Sequence, residues 1–200
     1  MKKLIRETEW LRVYGTDLGQ HYESRLVSDK VSVPSESVIQ RWNSITSEER
    51  WEIALALQLR GTIEFTLVPL VDFLLENGDS VVRSTLAPLL PMHPDKETAL
   101  NFLISQIRNE KSHRANYFQA LALIGDVRAV PPLTEIYEEV QQKYGRYESM
   151  SIEEASDFIA CCEALWKLTS GDRFRLSVQR LATHPNDTVR TMASLSLRSD

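Results

Sequence analysis

The fold of this chain is read most easily from residues 120–133, ALALIGDVRAVPPL. Apolar residues recur at helical spacing up to Ile124. Gly125 then supplies the residue type that most readily adopts the left-handed conformation ending a helix. The prolines at 131 and 132 suit the first turn of a following helix, where the N–H groups have no intrahelical partner. The stretch therefore predicts two helices joined by a short turn.

The same apolar spacing extends in both directions from this turn, and alternating strand patterns are scarce. It predicts an all-α chain with helices over 47–60, 63–76, 80–90, 95–107, 114–124, 130–144, 151–169, 172–182 and from 187 onward. Residues 1–45 are less regular, with helical patterns over 1–14 and 35–44 and a loop-rich stretch between them. We therefore expect an N-terminal cap or arm over 1–45, partly loop, and a helical repeat domain over 46–200.

The chain contains an internal repeat. The segment 56–61, ALQLRG, resembles 120–125, ALALIG, and the two terminal glycines lie 64 residues apart. A similar segment, 164–168, precedes Gly171. A second repeated pattern is an aspartate followed closely by a Val-Arg pair. Asp79 precedes the pair at 82–83, and Asp187 precedes the pair at 189–190. Such periods are typical of stacked helical hairpins, which bury their apolar faces against one another.

Residues 120–133, together with 186–197, resemble HEAT-like repeats of the phycobilisome-lyase type. The likeness is strong over 114–144, weaker over 47–112 and 151–200, and absent over 1–45. It implies an α-solenoid, a superhelix of about four HEAT-like helical hairpins with an irregular N-terminal cap. It also implies that the second helix of each hairpin lines a concave surface. A fold of this kind carries no particular activity.

Composition limits the partners. A net charge of −5 and a pI near 5.5 argue against broad nucleic-acid binding, which needs a basic face. The sequence predicts neither a signal peptide nor a membrane span, so the cytoplasm is the expected compartment. The two cysteines, Cys161 and Cys162, are adjacent and cannot form an ordinary disulfide within one helix. Nothing in the sequence requires an oxidising compartment.

Several residues invite a chemical interpretation, and each has a simpler structural one. The pairs Asp79/Arg83, Asp126/Arg128 and Asp187/Arg190 could bind anions, but they are typical of helix caps with arginines linking neighbouring repeats. The histidines lack metal-ligand spacing, and those at 93 and 184 sit in turn sequences. For the cysteine pair, we expect one thiol in the core and one near a helix seam. We expect no catalytic residue, metal or cofactor.

Charge is unevenly distributed along the second half of the chain. Acidic residues predominate over 135–163 and basic ones from Lys167 onward. Such asymmetry can steer a charged partner. The expected partner-binding residues lie on or beside the second helices of two successive hairpins: Tyr137, Glu138, Gln141, Tyr144, Arg146, Tyr147, Arg175 and Gln179. Tyrosine offers a large, stiff contact with a polar tip, although Tyr137 could equally belong to the core.

These observations support three hypotheses. The first is a non-catalytic protein-binding adaptor, scaffold or inhibitor that uses the concave face. The second is nucleic-acid binding or repair of alkylated bases, which needs a basic groove with an aromatic residue and a carboxylate, for which Trp51 or Trp166 with Asp172 are the candidates. The third, an accessory role in bilin or chromophore attachment, rests on the repeat resemblance alone.

Overall fold

A computed structural model of the chain describes residues 35–111, 113–145 and 147–198. These residues form α-helices and short 3₁₀ segments, and they contain no β-strand. The α-helices are α1 (Ser35–Arg41), α2 (Ser47–Arg60), α3 (Val68–Asn77), α4 (Ser80–Leu86), α5 (Lys96–Asn109), α6 (Ala115–Ile124), α7 (Val130–Tyr144), α8 (Ile152–Thr169), α9 (Asp172–Leu181) and α10 (Asp187–Ser196). The prediction of an all-α fold is confirmed.

The chain divides into two compact units, one ending at Pro94 and the other beginning at Asp95. The expected cap over 1–45 lies mostly outside the described residues. Its predicted second helix is observed as α1 followed by a 3₁₀ turn at Trp42–Ser44. The boundary at residue 45 and the assembly of all hairpins into one solenoid stay predictions.

The first unit packs α2 against α4 and α1 against α3. Helix α2 begins with a capping box, in which the Thr46 side chain accepts from the Glu49 N–H and the Glu49 carboxylate accepts from Thr46. Thr46 is therefore the cap, and the helix starts at Ser47, as the range predicted from the sequence has it. Gly61 ends the helix at a φ of 67°, as predicted.

Two predicted helices of this unit are shorter in the structure, and proline is the reason in both. Pro69 lies in the first turn of α3, so the helix starts at Val68, after a 3₁₀ turn at Phe65–Leu67. After α4, Pro88 has no N–H to continue the α-helical bonding, and the chain passes into a 3₁₀ segment at Ala87–Met92. The prediction extended one helix too far at its start and the other at its end.

The second unit is built around α8, which packs against α6, α7, α9 and α10. Helix α5 packs against α6 and α7, and the Tyr137 ring of α7 contacts the Phe174 ring of α9. The buried face of α8 carries small residues at 155, 160, 161, 162 and 164. These allow close approach of helices on several sides.

The turn predicted within residues 120–133 is formed as expected. Gly125 ends α6 at a φ of 75°, and the Asp126 side chain accepts a hydrogen bond from the Arg128 N–H at 2.9 Å. A 3₁₀ turn at Val127–Ala129 then leads into α7. Helix α8, predicted over 151–169, begins with a capping box formed by Ser151 and Glu154.

Candidate functional site

A groove runs along α8 between α6 and α10, and we call it the α8 groove. Its volume is about 520 Å³. The lining residues are Ala115, Gln119, Ala122, Leu123, Ser156, Ile159, Ala160, Glu163, Ala164, Lys167, Met192, Leu195 and Ser196. Buried alanines of α8 form its floor, and longer apolar side chains stand on its walls. Ala160 and Ala164 present only methyl groups, so the floor of the groove leaves room for larger side chains above α8.

Leucines on both walls are exposed to solvent. Leu123 on α6 is 64% exposed, and Leu195 on α10 is 57% exposed. Leu121, two residues before Leu123, is fully buried. Two positions along a helix correspond to a rotation of about 200°, so these two leucines of α6 face opposite ways. One side of α6 completes the core, and the other brings an apolar side chain to the groove.

The polar residues of the groove lie mostly along α8. Glu163 and Lys167 are one helical turn apart, and both line the groove. Neither forms an ion pair among the residues that the structure describes. The groove thus combines an apolar centre with one negative and one positive group at fixed spacing. This arrangement suits an amphipathic ligand better than a uniformly charged one.

Only some of the tyrosines predicted to bind a partner lie at the surface of the protein. Tyr137 and Tyr147 are buried and belong to the core, which decides between the two alternatives left open for Tyr137. The Tyr137 hydroxyl lies 3.0 Å from the Ser177 hydroxyl, and Gln141 donates hydrogen bonds to both Ser177 and Tyr147. The Tyr137 ring also packs edge-on against Phe174, with centroids 5.0 Å apart. These residues tie α7 to α9 from within.

Tyr144 faces a different part of the unit. Its hydroxyl donates to the Glu154 carboxylate, which also accepts from Lys143 Nζ at 3.0 Å. The Tyr144 bond, the Ser151 N–H and the Lys143 bond together hold the pKa of Glu154 at about 2. Desolvation and the neighbouring carboxylate raise the pKa of Tyr144. The Glu154 carboxylate is thus held by contacts within the protein and has a structural role.

The remaining predicted site residues are spread over the second unit. Glu138 and Gln179 are exposed on α7 and α9, respectively. The Arg175 guanidinium stacks on Trp166, 5.3 Å from the ring centroid. Arg146 lies outside the described residues. The structure therefore gathers Tyr137, Gln141 and Tyr147 into one cluster.

One buried carboxylate was not singled out from the sequence. Asp157 on α8 is 5% exposed, accepts from the Ala115 N–H at 2.9 Å and lies 3.7 Å from Arg114 Nε. Burial raises the pKa of Asp157, against the lowering effect of the bonds from Arg114 and Ala115. The residue ties the start of α6 to α8. It lines a cavity of about 230 Å³ that it shares with Glu154 and Tyr144.

In two of the three Asp–Arg pairs the aspartate caps a helix. Asp79 caps α4, and Arg83 donates to the Gly78 carbonyl. Arg128 does link neighbouring elements, because its guanidinium donates to both Glu97 oxygens at 2.9 Å.

The third pair departs from the prediction at the cap. Asn186 caps α10 in place of Asp187, accepting from the N–H groups of Thr188 and Val189. Arg190 pairs with Asp187 and donates to the carbonyls of His184 and Pro185.

The two cysteines are both buried, and Cys162 lies beside residues of the neighbouring helices α9 and α10. Burial raises the pKa of Cys161 to about 12, which leaves the thiol protonated and a poor nucleophile at neutral pH. Its sulfur donates to the Leu133 carbonyl at 3.5 Å. The two histidines of the predicted turns are buried as well: His93 bonds Asp72 at 3.1 Å, and His184 bonds the Asn186 N–H.

Within the described ranges, no group of three or more His, Cys, Asp or Glu side chains is arranged to hold a metal ion. None of the helices there is both long and apolar enough to cross a membrane. Comparison with known protein families, curated proteins and solved structures returns no match to this chain.

Sequence reasoning missed the α8 groove. A signal for it was present in residues 120–124, where alternating Ala and Leu place one leucine on each side of the helix. The repeat resemblance directed attention to the second helices, whereas the groove lies on α6, α8 and α10.

Proposed function

We propose that the chain is a non-catalytic protein-binding module, an adaptor, scaffold or inhibitor, whose α8 groove receives an amphipathic helix of a partner protein. The observation that carries this proposal is the exposure of Leu123 and Leu195 on opposite walls of the groove. Isolated exposed leucines are ordinary, but two that face one apolar groove form a contiguous patch.

The size of the apolar contribution is consistent with moderate affinity. Burying one leucine contributes about 1.5–3 kcal/mol. Leu123 and Leu195 would together supply roughly 3–6 kcal/mol, against about 8 kcal/mol for micromolar binding. Association also costs several kcal/mol of lost freedom. The partner must therefore cover further apolar surface of the same groove, such as that of the half-buried Met192.

A helix suits the groove better than an extended segment. An extended peptide binds by adding a strand to a sheet edge, and the described residues contain no strand. Alanines on the floor permit close approach of a helix carrying larger side chains. Glu163 and Lys167 would complement a basic and an acidic residue spaced one turn apart on that helix.

The contacts that the carboxylates of Glu154 and Asp157 make within the protein support a binding role over a catalytic one. Glu154 is held by three partners, and Asp157 is held by a backbone N–H and Arg114. A general acid or base needs a carboxyl group that is free to exchange a proton with substrate. Trp166, a candidate for base repair, lies against Arg175.

The test is affinity capture with the tagged full chain from lysate of its own source, followed by calorimetry with the purified partner. We expect Leu123→Lys and Leu195→Lys to weaken binding at least tenfold. Leu176→Lys is the matched control, because Leu176 on α9 is 53% exposed and lies outside the groove. Circular dichroism establishes that each variant is folded.

Two outcomes would contradict the proposal. The first is loss of partner binding in the double variant Glu138→Lys/Gln179→Glu while both groove variants bind normally. This result would place the binding site on the surface predicted from the sequence. An eluate with nucleic acid and no stoichiometric protein would favour the nucleic-acid hypothesis.

A further inference from the structure

The turn between α3 and α4 joins an asparagine directly to a glycine. Asn77 is the last residue of α3, Gly78 follows it, and Asp79 caps α4. Asn77 is exposed to solvent, whereas Gly78 is buried. The turn belongs to the first unit, and none of its residues lines the α8 groove, so it is separate from the function proposed above.

Packing leaves no room for a side chain at Gly78. A β-carbon built there would overlap the Leu74 carbonyl oxygen and would lie 2.6 Å from Cγ1 of Val82. The first of these contacts is with the backbone of α3, which would have to shift. Gly78 has a φ of −72°, so space and not a left-handed conformation requires glycine here. An asparagine in front of it therefore has a neighbour without a side chain.

Asparagine before glycine is chemically labile, because no side chain shields the backbone nitrogen that follows. The Gly78 nitrogen, after giving its proton to solvent, attacks Cγ of Asn77 and forms a cyclic imide. The Cγ–Nδ2 bond breaks, and Nδ2 leaves as ammonia with a proton from water. Water then adds to either imide carbonyl and opens the ring to aspartate or isoaspartate. The net reaction consumes one water and releases one ammonia, with no oxidation or reduction.

Both nitrogens that react are held by carbonyl groups in the last turn of α3. The Gly78 N–H donates to the Leu74 carbonyl at 2.8 Å, and Asn77 Nδ2 donates to the Phe73 carbonyl at 3.0 Å. Attack on Asn77 Cγ requires both bonds to break. Since helix ends open at a small cost in free energy, the reaction is slowed in the folded chain and not abolished.

The products fit this turn less well than asparagine does. A carboxylate at position 77 cannot donate to the Phe73 carbonyl, and it places negative charge at the negative end of the α3 dipole. Isoaspartate also lengthens the main chain just before Gly78, where the Leu74 oxygen leaves no space. The Gly78 carbonyl accepts from Arg83 at 2.7 Å, so its displacement also disturbs α4.

We propose that Asn77 is a site of spontaneous deamidation, by attack of the Gly78 nitrogen when the last turn of α3 opens, and that the product weakens the α3–α4 turn. Asn109 is the matched control within the same chain. It ends α5 as Asn77 ends α3, and the N–H that follows it, that of Glu110, donates to the Gln106 carbonyl at 2.9 Å. The Glu110 side chain obstructs the approach that glycine leaves open.

The experiment incubates the full chain at neutral pH and physiological temperature, in buffer and in concentrated guanidinium chloride. Peptides are mapped over time by mass spectrometry, and electron-transfer fragmentation distinguishes isoaspartate from aspartate. We expect both products at Asn77, formed about tenfold more slowly in the folded chain than in denaturant. Asn109 should stay intact over the same period. Asn77→Gln should abolish the modification at this position, because the longer side chain must close a larger ring.

A second measurement tests the effect on the turn. The variant Asn77→Asp carries one of the two products, and its unfolding equilibrium constant in guanidinium chloride should exceed that of the wild type about fivefold. An unchanged constant would contradict the proposed weakening.

Three further outcomes would overturn the proposal. The first is an Asn77 that stays intact in the folded chain. The second is an equal rate in buffer and in denaturant, which would mean that the turn does not control the reaction. The third is modification of Asn109 in the folded chain as fast as that of Asn77, which would mean that Gly78 is not its cause.

Discussion

The ion pair of Arg128 with Glu97 and that of Arg114 with Asp157 both lie in the second unit, and they differ in burial, contact distance and geometry. Arg128 donates to Glu97 and Asp126 at 2.7–2.9 Å on the surface. Asp157 lies in the interior, accepting from the Ala115 N–H at 2.9 Å and facing Arg114 Nε at 3.7 Å. The exposed pair has the shorter contacts and the better geometry.

Burial matters more than distance in this comparison. Water and salt screen the charges around Arg128, and ordering long side chains offsets part of the attraction. Asp157 cannot exchange its partners for water. Removing it leaves the Ala115 N–H without its acceptor and the Arg114 guanidinium without its carboxylate, with the Ile107 carbonyl and the Phe118 ring beside that charge. We therefore expect the less regular pair to contribute more to the free energy of unfolding.

The largest effect is expected from Asp157→Ala, which should lower the free energy of unfolding by about 3–5 kcal/mol in urea titrations. Asp157→Asn should cost less, because its amide oxygen still accepts from Ala115. Since burial raises the pKa of Asp157, a neutral acceptor is better tolerated than no acceptor. Equal, small losses in both variants would contradict the account of the buried pair.

A smaller effect is expected from the polar cluster between α7 and α9. Tyr137→Phe removes one hydroxyl from its buried bond with Ser177 and should cost about 1 kcal/mol. A double-mutant cycle with Ser177→Ala, measured by urea unfolding, gives the coupling between the two hydroxyls. Purely additive losses would show that the bond contributes nothing beyond packing.

The next prediction concerns pH. The folded-state pKa of Glu154, about 2, lies below its ordinary value of 4.5. Its contribution to stability is thus complete above pH 4.5 and is lost as the pH falls towards 2. In thermal unfolding, Glu154→Gln should lose stability at pH 6 and flatten the decline below pH 4.5. Glu138→Gln, an exposed control, should follow the wild-type curve.

The smallest effect is expected from Arg128→Gln on the surface. The change in melting temperature should be slight at low ionic strength and should shrink further in 1 M salt, where exposed charges are screened. The same measurement on Asp157→Ala at low ionic strength and in 1 M salt distinguishes the two ion pairs. The change in melting temperature caused by losing the buried pair should persist in high salt. A larger loss from Arg128→Gln than from Asp157→Ala would reverse the argument.

The sequence predicts the local elements better than the sites. The turn at Gly125 and the capping box at Ser151 follow from residue types with strong local preferences. The helices beside Pro69 and Pro88 were overextended because apolar spacing continues through a proline that interrupts α-helical bonding.

Tertiary burial has no comparable local signal. Asp157 is one acidic residue among many in its region, and only the packing of α6 on α8 shows that it is enclosed. Leu123 and Leu121 have the same side chain, and which of them faces the core depends on where α8 lies. The buried Tyr137 and Tyr147 show the same difficulty, because tyrosine is suited to both interfaces and cores.

Methyl NMR of the leucines during titration with the captured partner tests the proposed binding mode most directly. The account predicts that the methyl signals of Leu123 and Leu195, on opposite walls of the α8 groove, shift together and saturate at one equivalent of partner. The signal of Leu176, exposed to a similar extent on α9, should stay in place. A shift of Leu176 with unchanged Leu123 and Leu195 would contradict the account and locate the binding surface on the α7–α9 side.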